Sequence, residues 1–414
     1  MQPSVEITVK NWRYSVDLFL FDILTILLII IDMHNYRKQI TPLTIFGGVY
    51  TCLINLNNLV ISKIYSFIPI NAHALWIIFC FFIIIFLIDF LGGYLYRNTP
   101  HCSFSFSTRF KNNVSVTLLF FIGVVAYSIQ FLLLYRKYGL SIKGLNDGIL
   151  GHLSSFAFIL GPVALDLSIK TGKKIRIIFA LLLNILVLGI SVAFGGKYVI
   201  FINLTYFLLY FVLKRDRQAN LLKLLKIILP LIGAAFGAFI ILYYIIPRVT
   251  GQYQSTMDFA IKHMFYYLLG SVTANNYTMV HAGQGDALIP FTVIVNIGKA
   301  LFGKNDYISS IYPFIFQVDY ITKTNVAGFL GETVYNLGVS GAFFYTLVIF
   351  GVINYFYYQY RSKNKFYLSF CYSNAIIAFL FFGNFYSVSG VFLPFLLAVF
   401  LDMFSLCKIG DYHI

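Results

Sequence analysis

Charge is what this sequence has least of. Asp, Glu, Lys and Arg make up 11% of its 414 residues, against about 25% in an ordinary soluble chain. A water-soluble enzyme is excluded on that ground alone. Acid is scarcer than base, with 15 Asp+Glu against 30 Lys+Arg, and only Glu6 and Glu332 are glutamates. The five cysteines (Cys52, Cys80, Cys102, Cys371, Cys407) are scattered and form no CxxC pair. Neither a disulfide framework nor a zinc site is indicated. There is no GxxxxGK[ST] loop and no HExxH, and Gly195-Gly196-Lys197 is too short for a nucleotide loop. Gly283-Gln284-Gly285 lacks the following glycine and the strand-to-helix setting of a dinucleotide site. No metal, cofactor or nucleotide-driven step is expected. The first fifteen residues carry Glu6, Lys10 and Arg13, too mixed for a signal peptide, so the first apolar run is expected to stay as an anchor.

Apolar residues fill the gap, at 59% hydrophobic and 19% aromatic. Apolar runs cover 18–33, 41–61, 72–91, 114–135, 152–169, 175–194, 197–213, 225–247, 338–358, 366–384 and 386–406. A spanning helix needs roughly 20 such residues, so the expectation is about eleven spans, within a range of roughly ten to twelve. Helix is the assignment because backbone groups in hydrocarbon must bond within their own segment. The runs do not alternate as barrel strands do. The expected fold class is all-α, a polytopic transmembrane helical bundle forming a single integral membrane domain over 1–414. One long outer loop with amphipathic helices, 248–325, sits within it. Neither a fixed-period repeat nor an inverted pair of broken helices is apparent in the sequence.

Orientation follows from where the cations fall. Arg37-Lys38, Arg97, Arg109, Lys111, Lys170 to Arg176, Lys214 to Lys226, Arg361 to Lys365 and Lys408 alternate with the spans and hold 18 of the 30 basic residues. That side is the cytoplasm, which places the 248–325 loop outside and, with eleven spans, the N-terminus outside. Clustering beside inner span ends also explains the net charge of +15, as a topogenic and anionic-lipid signature rather than a nucleic-acid footprint.

Within the loop, Asp258 to Leu269 and Ile289 to Lys299 carry apolar groups at helical spacing. Such stretches lie in the outer interface or pack over the bundle. Between them stand Asn275, Asn276, Tyr277, His281 and Gln284, amides and rings suited to hydrogen-bonding and stacking on sugars, although many loops share that composition. Histidine is a side chain suited to proton transfer, so His281 is a second candidate proton acceptor, or simply a surface residue of the loop. Asp32, Asp89, Asp166 and Asp402 fall near inner span ends beside Arg37, Arg97, Lys170 and Lys408, and read as paired or snorkelling carboxylates. Asp22 has no partner visible in the sequence. Glu332 differs, because it stands at the outer end of a late span beside the loop, where a carboxylate is costly unless paired or used in chemistry. Its structural alternative is a pair with Lys323 or the cap of a short helix.

The stretch Thr322-Lys-Thr-Asn-Val-Ala-Gly-Phe-Leu-Gly-Glu-Thr-Val-Tyr-Asn-Leu-Gly-Val-Ser-Gly341 ahead of an apolar span resembles the Wzy-type O-antigen and capsule repeat-unit polymerases. Asn325, Glu332, Tyr335, Asn336, Gly338 and Gly341 occupy the asparagine, acidic, aromatic and glycine places of that loose pattern. Met264 to Gly270 with Asn275-Asn276 resembles the family's tyrosine–glycine–asparagine stretch. The resemblance implies transfer of a growing glycan from undecaprenyl diphosphate to a sugar hydroxyl of the next lipid-linked unit. The setting it implies is the periplasmic face of the bacterial inner membrane, with membrane lipids, a flippase and a chain-length regulator as partners and no metal or cofactor. Such a reaction needs cations for the diphosphate and a group that accepts the hydroxyl proton. The resemblance offers Glu332, Arg248 and Lys197 as catalytic candidates. Arg136, His281, Asn275, Asn276, Tyr277, Lys323, Asn325, Tyr335 and Asn336 are the substrate-binding candidates. Arg248 and Arg136 read equally as anchors flanking a span. Lys197 departs from the arginine of many members and loses bidentate pairing. An O-antigen ligase and a flippase or transporter of lipid-linked sugars are the alternatives, the second disfavoured by the one long asymmetric loop.

Overall fold

The structure, a computed structural model, describes residues 3–36, 40–98, 113–139, 148–194, 197–215, 237, 256–304, 306–309, 315–319, 321–363 and 365–403. These residues are helical apart from short turns and one minimal hairpin. Six helices are long and apolar enough to cross a membrane: Pro42–Tyr65, Ala72–Tyr96, Val114–Tyr138, Gly148–Lys170, Lys174–Ala193 and Gly328–Ser362. The predicted run 225–247 lies outside the described residues but for residue 237, and every other run overlaps a helix over part or all of its described length.

The chain forms two compact units. The first holds α1 (Pro3–Asn35), α2 (Pro42–Asn55), a π-helical turn Leu56–Ile61, α3 (Ser62–Tyr65) and α4 (Ala72–Asn98). Thr41 starts α2 by accepting a hydrogen bond from the Thr44 amide at 3.0 Å, with Pro42 in the first helical position. An aromatic core of Phe46, Tyr50, Phe82, Phe329 and Phe350 fills this unit, the Phe46 and Phe350 ring centroids 5.5 Å apart. The second unit holds α5 (Asn113–Tyr138), α6 (Gly148–Lys170), α7 (Lys174–Ala193) and α8 (Lys197–Arg215). There α5 and α6 approach so closely at Gly123 that a Cβ would stand 2.5 Å from the Ala157 amide nitrogen. Small residues permit such backbone contact between membrane helices.

The segment predicted as the long loop belongs to the first unit and contains α9 (Met257–Thr273), α10 (Asn275–Val280), α11 (Thr292–Leu301) and a hairpin of β1 (Phe316–Gln317) with β2 (Lys323–Thr324). It is stitched to the turn after α3. The Ile68 amide donates to the Val318 carbonyl at 2.9 Å, the Asn71 amide donates to Asn276 Oδ1, and Asn276 Nδ2 donates to the Pro69 carbonyl. Asp319 carries the hairpin turn, accepting from the amides of Ile321 and Thr322 and from the Tyr266 hydroxyl. Lys262 stands 3.7 Å from the same carboxylate. The two amphipathic stretches behave differently. Helix α9 buries Ala260, Met264 and Leu269 against the protein, whereas α11 leaves an apolar stripe uncovered.

The late spans depart from the expected pattern. Helix α12 (Gly328–Lys363) is two helices meeting at Gly338, whose φ of 69° and ψ of 172° only glycine adopts freely. Where runs 366–384 and 386–406 suggested two full spans, α13 (Tyr367–Phe379) and α14 (Ser389–Met403) have 13 and 15 residues. Between them Leu380–Ser387 leaves the helix and is counted with the first unit. Backbone of that kind at membrane depth is tolerated only where protein or a cavity covers it.

Three of the intramembrane acids, Asp22, Asp89 and Asp402, accept hydrogen bonds. Both Asp32 oxygens are buried without a regular partner among the described residues. The side chains of Arg37, Arg97 and Lys408, the expected partners, lie outside those residues. Asp22 accepts from Asn55 Nδ2 at 2.8 Å, the partner that sequence did not reveal. Asp89 accepts from the Leu43 amide and from Asn354. Asp402 accepts from the Ser369 amide and hydroxyl. Of the four span-end acids Asp32, Asp89, Asp166 and Asp402, Asp166 is the one with an ion pair among the described residues, to Lys170 and Lys214.

Candidate functional site

Glu332 is buried in the first turns of α12, 8% exposed. Two departures from regular helix bring its neighbours together. Gly328 opens the helix at a φ of +67°, where a Cβ would stand 2.6 Å from the Phe381 carbonyl oxygen and 2.9 Å from the Tyr50 hydroxyl. The Phe329 amide donates to the Leu380 carbonyl at 2.8 Å, pinning the helix start to the unwound 380–387 segment. That segment returns the contact, as the Asn384 amide donates to Glu332 Oε2 at 3.2 Å. Asn384 Nδ2 donates to the Tyr345 hydroxyl, which donates to the Pro290 carbonyl. No ion pair joins Glu332 to any cation among the described residues, and Lys323 stands exposed on β2.

Several groups facing this carboxylate have bonding capacity to spare. Tyr50, fully buried, brings its hydroxyl within reach of the Asn275 side chain and the Leu330 backbone, beside Glu332, without a hydrogen bond of regular geometry among the described residues. The Oδ1 atoms of Asn275 and Asn384 are likewise buried without a donor. Asn275 and Thr278 both border the Cβ position of Gly331, each with its side-chain oxygen 3.1 Å away. Over 90% of buried polar groups in folded proteins are paired. Around this carboxylate, Tyr50, Asn275 and Asn384 are groups to which a ligand hydroxyl can bond. A buried Glu with hydrogen-bond partners and no cation can take up a proton, which is the chemistry of a general base.

A second feature lies against the same helix. Tyr277 and His281 stack with centroids 4.0 Å apart, and Phe316 and Tyr335 meet edge-on at 5.6 Å, with Tyr277 5.9 Å from Phe316. His281 Nδ1 is 2.8 Å from the Tyr277 carbonyl. The Gly283-Gln-Gly285 turn is a cap here, its amides donating to the carbonyls of Val334 and Tyr335 at 3.0 and 2.9 Å. A Cβ on Gly285 would stand 2.2 Å from Asn336 Oδ1 and 2.7 Å from the Tyr335 ring, so any larger residue would have to displace them.

The sequence-derived candidates therefore divide. Asn275, Tyr277, His281, Tyr335 and Asn336 gather around the start of α12 with Glu332. Asn276 is spent on joining the loop to residues 69–71. Asn325 is half-buried after β2. Arg136, exposed at the end of α5, and Lys197, the first residue of α8, belong to the second unit. Arg248 and the side chain of Lys197 lie outside what the structure describes. Tyr50, Thr278, Tyr345 and Asn384 escaped sequence reading. One signal was available, an Asn inside the apolar run 366–384, since polar groups at membrane depth deserve a functional reading. Tyr50 is one of 31 tyrosines and carried no signal. No family model matches the chain, and no curated protein or solved structure matches it.

Proposed function

We propose that the chain is a Wzy-type polymerase of lipid-linked oligosaccharide repeat units, with about eleven spans of roughly 20 residues and its site on the periplasmic side of a bacterial inner membrane. The observation that carries this reading is Glu332, buried beside the hydrogen-bonding groups of Tyr50, Asn275 and Asn384 with no cation paired to it among the described residues. In this reading Glu332 takes the proton of an acceptor sugar hydroxyl. The hydroxyl oxygen forms its bond to the anomeric carbon of the growing glycan, and the bond from that carbon to the diphosphate breaks. Undecaprenyl diphosphate leaves with the electron pair. Asn275 and Asn384 orient the hydroxyl, Tyr277, His281 and Tyr335 offer rings for sugar faces, and Arg248 is the cation for the diphosphate. A nucleotide is not needed, because the lipid-linked donor is already activated. The test is a reconstitution with purified lipid-linked repeat unit. Wild-type protein yields a ladder of longer lipid-linked chains. Glu332→Gln keeps the shape and hydrogen bonding but cannot accept the proton, and it yields none while accumulating normally in the membrane. Wild-type chain lengths from that variant would exclude Glu332 as the base.

A further inference from the structure

Helix α11 has two unlike faces. Its polar side is occupied, with Asn296 exchanging two hydrogen bonds of 2.8 Å with the Ile308 backbone and Lys299 Nζ bound to Asp306 at 2.9 Å. Its other side carries Phe291, Ile294, Ile297 and Leu301 at helical spacing, continued by Phe302. Leu301 and Phe302 are 81% and 82% exposed, with no described residue covering them. A 10-residue helix is about 15 Å long, half the roughly 30 Å hydrocarbon thickness, so it does not cross the membrane. Its depth is fixed by what precedes it. Tyr345 donates to the Pro290 carbonyl at 3.1 Å and meets the Phe291 ring at a centroid distance of 5.4 Å. Tyr345 lies in a helix that qualifies as a membrane span, seven residues beyond the Gly338 break, which is about 10 Å at the helical rise. Interfacial helices bed their apolar faces about 5–10 Å into the headgroup and acyl boundary.

We propose that α11 is an in-plane membrane helix, with Phe291, Ile294, Ile297, Leu301 and Phe302 seated in the acyl chains of the leaflet next to the site. Continuity with the span through Pro290 and Tyr345 selects lipid over a protein partner as the occupant. The anchoring has a consequence for the site. Tyr345 also accepts from Asn384, whose amide holds Glu332. The lipid-seated helix therefore fixes the depth of the carboxylate relative to the headgroups. The inference stands without the polymerase reading.

The experiment places p-benzoylphenylalanine at Leu301, at Phe302 and, as a control, at exposed Gln284 of the full chain. The protein is reconstituted in phosphatidylethanolamine–phosphatidylglycerol vesicles, irradiated, and its adducts identified by mass spectrometry. Lipid adducts at both 301 and 302, and none at 284, are expected. Adducts to a second copy of the chain at 301 and 302 would make the stripe a dimer interface and refute the proposal. Absence of lipid adducts at both positions, in protein recovered from the membrane in normal amount, would refute it as well.

Discussion

Tyr50 shows how a residue can matter for a guest while costing the host. Its buried hydroxyl approaches Asn275 and the Leu330 backbone but makes no bond of regular geometry, and leaving such a group unmade costs about 1–3 kcal/mol. Tyr50→Phe removes the hydroxyl and keeps the ring that packs on Phe46 and Phe82. Thermal stability in detergent should therefore stay level or rise. If the hydroxyl serves the ligand, polymer formation should fall roughly tenfold or more, the equivalent of about 1.4 kcal/mol in the barrier. A stable variant with undiminished chain lengths would remove Tyr50 from the site. Asp319 is the reverse case, a carboxylate whose partners are all present. Burial by itself would raise its pKa, but hydrogen bonds from Tyr266 and from the Thr322 and Ile321 amides outweigh it and hold the group below the usual carboxylate range. A depressed folded-state pKa gives stability that is present above the unfolded value, about 3.9, and is lost as pH falls through the folded one. Proteolysis of the hairpin should therefore stay slow at neutral pH and accelerate as pH drops below that value. Asp319→Asn should abolish the acid dependence, so an unchanged acid profile in that variant would exclude Asp319 as its source.

At the scale of elements, glycines decide where helix stops. Gly338 breaks α12 and Gly328 opens it, so the Glu332 segment is a short helix of its own. Its C-terminal carbonyls are taken by the amides of Gly283 and Gly285, as helix ends require. Gly285→Ala would force a Cβ to within 2.2 Å of Asn336 Oδ1 and 2.7 Å of the Tyr335 ring. Overpacking of this kind costs about 1–3 kcal/mol. The variant should melt lower and bind substrate more weakly, while Gly298→Ala, on open helix surface, should do neither. Equal melting of the two would show that the turn yields without loss. The sequence motif Gly283-Gln-Gly285 was legible as glycine-rich, but its partner carbonyls sit some fifty positions along the chain, a pairing that no local pattern carries.

For the whole molecule, topology is the quantity to measure. The cation distribution puts the 248–325 segment outside, and the structure supplies fair reporter positions. Gln284 is exposed in the loop and Thr171 is exposed in the turn between α6 and α7, whereas Ser362 is buried and unsuited to labelling. An impermeant thiol reagent on intact spheroplasts should modify a cysteine at Gln284 and spare one at Thr171. The opposite pattern would reverse the orientation. What the sequence determined by itself was the helical, membrane-embedded character, because scarce charge and long apolar runs leave hydrocarbon as the only solvent and helix as the structure that satisfies the backbone there. Glu332 was singled out for the same reason, an acid at a span end beside the loop, where acids are expensive. Tertiary structure alone decided which groups surround it. Tyr50, Asn275 and Asn384 come from segments far apart in the chain. Packing and the breaks at Gly328, Gly338 and Leu380–Ser387 bring them together, since hydrogen-bond geometry is set by where backbones cross and not by the order of residues.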